Sequence, residues 1–83
     1  MKAEDLLPNE RNEAVFDGVT VRKGSVGAFI ANATLWMDPL ASATDKRVAE
    51  GDMADALPAL RALKLLELFA ARDEKLQQFI DAH

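Results

Sequence analysis

Ala54-Asp55-Ala56-Leu57-Pro58-Ala59-Leu60-Arg61-Ala62-Leu63-Lys64-Leu65-Leu66-Glu67-Leu68-Phe69 is the stretch whose reading decides the fold class. It is built from Ala, Leu, Glu and Lys, residues that lose little side-chain freedom on entering a helix. Similar composition continues through Gln77 and Gln78 to Asp81, so the spacing predicts helix from about Asp55 onward. Pro58 fits if Asp52 or Asp55 caps the segment, because a proline in the first turn gives up an N–H that has no intrahelical partner. With Leu57 as origin and about 100° per residue, Leu65, Leu66, Leu68, Phe69, Leu76, Phe79 and Ile80 fall on one half of the wheel. Lys64, Glu67, Glu74, Gln78 and Asp81 fall on the other, with Lys75 on the boundary between the two.

Four residues resist that wheel. Leu60 and Leu63 project onto the polar side, and Arg61 and Arg72 onto the apolar side. Two readings account for them: the helix breaks near Arg72-Asp73, with Asp73 capping a terminal helix, or Leu60 and Leu63 meet another surface.

Toward the N-terminus, residues 39–50 read as a short helix with Asp38 as cap, Pro39 at the first helical position, and Leu40, Thr44 and Val48 along one side. Before it, Ser25 is placed to cap a helix over 25–37, whose Val26, Phe29, Ile30, Ala33, Trp36 and Met37 share an arc of roughly 120°. Asp38-Pro39 closes that helix, since the residue before a proline is pushed out of α geometry. Ala14-Val15-Phe16 and Val19-Thr20-Val21-Arg22 flank Asp17-Gly18, a pair suited to the positive φ angles of a type I′ turn, which predicts a β-hairpin over about 14–22. Residues 1–12 show neither helical nor strand periodicity and read as a loosely ordered arm.

The expected architecture is therefore α+β and mostly helical. A short hairpin (14–22) packs on three or four helices, about 25–37, 39–50, 55–72 and 73–82, within a single domain spanning 1–83. The 83-residue length supports one core, since a chain of this size buries only about 60–65% of its unfolded surface. The 49% hydrophobic and 29% charged fractions lie well outside the disordered regime.

Composition also removes chemistry. There is no cysteine, hence no disulfide, no thiolate nucleophile and no Cys-based zinc site. The one histidine is His83, so the usual histidine-based triads and metal sites cannot be assembled. Ser25 and Ser42 lie near Lys23 and Lys46 but without Ser-x-x-Lys spacing. Asp45, Glu50, Asp52 and Asp55 lack the alternation of a calcium loop and read as caps and solvated loop residues. No catalytic residue, cofactor or metal is expected. The net charge of −4, with bases interleaved among acids, opposes nucleic-acid binding. Glu4 and Asp5 stand where a secretory signal would begin its apolar stretch, and no apolar run is long enough to span a bilayer, so a cytoplasmic protein is expected.

Two surfaces remain. Leu57, Leu60, Leu63, Leu65, Leu66 and Leu68 put more leucine on one segment than a domain of this size easily shelters. The expected function is accordingly non-enzymatic: protein–protein interaction or self-association through this leucine-rich segment, with Leu60, Arg61 and Leu63 presented to another protein or to a copy of the chain. The alternative is an accessory domain that binds an anion or small ligand at Arg22, Lys23, Gly24, Ser25 and Gly27, where cations, glycines and a hydroxyl meet a helix start.

Overall fold

The computed structural model describes residues 13–16, 18–22 and 24–83, over which the chain is mostly helical. Strands β1 (Glu13–Phe16) and β2 (Val19–Arg22) pair antiparallel, with Glu13 opposite Arg22 and Phe16 opposite Val19. Directly opposed residues share a face of a ribbon. Val21, partner of Ala14, is buried, whereas Val15 and its partner Thr20 are exposed, so β2 turns alternate side chains inward and lies against the long helix that follows. Gly18 has φ +77°, a conformation that disfavours any residue with a Cβ. Asp17, and with it the expected turn type, lies outside the described residues, as does the arm 1–12.

Helix α1 spans Ser25–Met37 and ends as expected at Asp38, whose backbone is extended ahead of Pro39. Its start needs correction. Gly24, at φ +87°, occupies the cap position without a side-chain cap bond, and Ser25 is already the first helical residue. A residue inside the helix cannot fold its hydroxyl back onto the free amides as a true N-cap does. The predicted apolar arc also divides: Phe29 and Ala33 are buried and Val26 and Trp36 half-buried, but Ile30 and Met37 are exposed.

The region read as two helices, 39–50 and 55–72, is organised differently. Pro39 and Leu40 form a turn in which the Asp38 carboxylate accepts from the Leu40 N–H at 2.9 Å. The helix starts only after Ser42, whose hydroxyl accepts from the Asp45 N–H at 3.0 Å. Helix α2 then runs unbroken from Ala43 to Ala62, 20 residues, with Gly51 and Pro58 inside it. Leu40, Thr44 and Val48, the expected inner side, are exposed, Leu40 at 92%. The buried line is Ala49, Met53, Leu57 and Leu60, within an arc of about 80°, with Ala59 buried to one side of it. The two halves of α2 are phased separately in the sequence reading, one from Leu40, Thr44 and Val48 and the other from Leu57 together with leucines beyond residue 64, which belong to other elements.

At Leu63-Lys64 the chain leaves the helix. Leu63 N–H still donates to the Ala59 carbonyl (3.1 Å) and Lys64 N–H to the Arg61 carbonyl (3.0 Å), after which Lys64 takes a left-handed conformation, φ +66°. Leu65–Leu68 forms a single turn, α3, and Phe69 is extended. Helix α4 (Glu74–Ala82) is capped by Asp73, whose carboxylate accepts from the Leu76 N–H at 2.9 Å. The expected boundary before residue 73 is therefore found, while the expected helix up to residue 72 is replaced by α3 and an extended link.

One buried cluster joins these elements: Phe29 and Ala33 of α1, Met53, Leu57 and Leu60 of α2, and Leu76, Phe79 and Ile80 of α4. Trp36 meets Phe79 with ring centroids 5.5 Å apart and planes tilted by 51°, and His83 stacks on the same ring at 4.2 Å. No described polar or charged residue is buried, and no buried side-chain nitrogen or oxygen among the described residues lacks a partner. No described helix is long and apolar enough to cross a membrane.

Candidate functional site

Leu60, Arg61 and Leu63 sit together at the C-terminal end of α2, but they do not share an environment. Leu60 is at the centre of the core with 0% exposure, so its side chain is not presented outward, and that part of the expected surface is corrected. Its place follows from the α2 phase set by Met53 and Leu57. Leu63 is half-buried at the helix end. Arg61 reaches across to α4, where its guanidinium donates to the Ile80 and His83 carbonyls, both at 2.9 Å. Both carbonyls lie at the C-terminal end of α4, where the helix dipole concentrates partial negative charge, and that of Ile80 also accepts from the His83 N–H at 3.2 Å, so Arg61 fastens one helix end to the next.

The surplus apolar surface lies elsewhere. Between α1 and the segment 65–71 runs a groove of about 380 Å³, floored by Phe29, Ala33, Leu60, Leu76 and Ile80. Its rim comprises Val26, Ile30, Thr34 and Met37 on one side and Leu65, Leu66, Phe69, Ala70 and Ala71 on the other. Ile30 is 58% and Phe69 65% exposed, and Leu68, beside Phe69 in sequence, is 76% exposed. Among the described residues, none that lines the groove is charged. The Lys64 turn creates this opening by carrying the chain out of α2, and the extended backbone at Phe69 holds that ring on the rim. The link is tied to α4 where the Ala71 N–H donates to Gln77 Oε1 at 2.6 Å, and Gln77 Nε2 donates to Asp81.

Sequence reasoning assigned Ile30, Met37 and Phe69 to the interior. A signal was present nonetheless: the thirteen residues of α1 contain no Asp, Glu, Lys or Arg. A surface helix normally carries charge on its outer side, so a helix without any has more apolar circumference than one core can cover.

The anion candidate fares differently. Lys23 and the Arg22 side chain lie outside the described residues. Gly24 and Gly27 are exposed, and Ser25 is half-buried at the start of α1. Gly24 and Ser25 border a shallow basin whose other walls include Asp52 and Asp55 of α2. Two carboxylates facing the helix start oppose a bound anion, since like charges at close range repel.

For catalysis, the geometry supplies few tools. No group of three or more His, Asp or Glu side chains among the described residues is arranged to hold a metal ion. Ser42 is engaged as the α2 cap, and His83 Nδ1 lies 2.8 Å from the Phe79 carbonyl. The chain matches no family model, no curated protein and no solved structure.

Proposed function

We propose that this is a non-enzymatic cytoplasmic interaction module that receives an apolar helical segment in the groove between α1 and residues 65–71. The uncharged, open lining of that groove carries the reading, with Ile30 and Phe69 more than half exposed beside the core. Groove recognition of this kind uses side chains at i, i+3 or i+4 and i+7 of the incoming helix. No described strand residue lines it; as a hairpin the strands lie against α2, where Val21 is buried. This moves the expected contact from Leu60 and Leu63 to the neighbouring leucine-rich residues 65–69. The anion-binding alternative has Asp52 and Asp55 against it and no observation in its favour.

An environment-sensitive apolar dye tests the groove in dilute, sub-micromolar protein. Saturable binding is expected, weakened about tenfold in both Ile30→Asp and Phe69→Asp while circular dichroism stays unchanged. Absence of dye binding by the wild-type chain, or binding indifferent to both substitutions, removes the proposal.

A further inference from the structure

Resting on the groove reading, we infer that the segment received is helix α1 of a second copy of this chain, the two copies related by a two-fold axis. The same helix forms a wall of the groove and carries a projecting ridge, Ile30, Thr34 and Met37, at the i, i+4, i+7 spacing that a groove of this kind accepts. Donor and acceptor therefore lie on one face, which is the condition for an isologous contact.

Charge favours this occupant. Each chain carries a net charge of −4, so approach of two copies is opposed wherever acids face each other. The thirteen residues of α1 contain no charged side chain, and none of the described residues lining the groove is charged, so their meeting brings two copies together without placing like charges in contact. An acidic protein that recruits a basic partner would be expected to rim the site with carboxylates, and the described residues of this lining include none.

The area sets the strength of the contact. At roughly 200 Å² per large side chain, the exposed parts of Ile30, Met37 and Phe69 in the groove lining amount to on the order of 330 Å². Pairing two copies then hides about 650 Å², below the roughly 1,000 Å² of a stable interface, which corresponds to a weak, reversible dimer.

Sedimentation velocity on the full chain from micromolar to millimolar concentration tests the inference. The expected mass rises to twice that of one chain, and Ile30→Glu raises the dissociation constant about 100-fold at unchanged helicity, because each copy then buries an unpaired carboxylate. Since the chain has no cysteine, Thr34→Cys can form a disulfide only between copies. It should cross-link on oxidation, whereas Glu50→Cys, exposed on α2, should not. A wild-type chain that keeps the mass of one copy at millimolar concentration overturns the inference. So does a monomer that dimerises only when Leu6 and Leu7 are both changed to Asp, which would make the chain's own first segment the occupant. If a persistent monomer still binds dye in the groove, only the second copy is lost; if it binds none, the underlying groove reading fails as well.

Discussion

Leu60 and Leu63 are three residues apart with the same side chain, yet they carry different weight. Leu60 is fully enclosed by α1, α2 and α4, and truncation removes its transfer energy and leaves a cavity. Leu60→Ala should lose about 3 kcal/mol in urea unfolding, and Leu63→Ala, half-buried at the helix end, about 1 kcal/mol or less. Equal losses would mean that both leucines face the same surroundings. Lys64 presents a conformational question instead. Its left-handed backbone is costly for a residue with a Cβ, and more so for a β-branched one. Lys64→Val should therefore destabilise by about 1–2 kcal/mol, while Lys64→Gly should be neutral or slightly stabilising in the same assay. A Val variant as stable as wild type would show that the turn is not left-handed. Arg61 illustrates a third kind of residue: a charge that looked misplaced on the wheel is instead the clasp on the end of α4.

Helix α2 is the element that sequence reasoning divided. The expected helices 39–50 and 55–72 leave Gly51 between them, and glycine costs about 1 kcal/mol relative to alanine inside a helix. The helix passes through it nonetheless, because Ala49, Met53 and Leu57 anchor the turns on either side in the core. A Cβ added at Gly51 would meet nothing within 4 Å. Gly51→Ala is therefore expected to stabilise by about 0.5–1 kcal/mol, raising the urea midpoint without changing the slope. A loss of stability would indicate that Gly51 holds a bend. Pro58 is tolerated in the same way, although its missing N–H leaves the Ala54 carbonyl without its usual intrahelical donor. At the other end of the chain, α4 has strong local signals, an Asp cap and the Leu76, Phe79, Ile80 stripe, and sequence and structure agree there.

For the molecule as a whole, the leucine surplus was legible but its location was not. Composition showed more apolar side chains than a short chain easily covers, and the fold does leave large ones open, Phe69, Leu68 and Ile30 among them. It leaves them around a groove, while Leu60, the residue singled out for a partner, fills the core. The reason is that a wheel projection assumes one continuous helix with one phase. The left-handed turn at Lys64 resets that phase, and lysine, unlike glycine, gives no warning of such a turn. By itself the sequence determined what local chemistry can specify: predominantly helical elements, the end of α1 before Pro39, and the lack of cysteine and of any histidine other than His83; the Asp73 cap it offered as one of two readings. Only the tertiary structure decided which leucines are enclosed, that α2 continues past Gly51, and that Arg61 closes α4. Those outcomes depend on contacts between residues far apart in the chain, such as Arg61 with His83 and Trp36 with Phe79, whose gain in buried area and hydrogen bonding outweighs local preference.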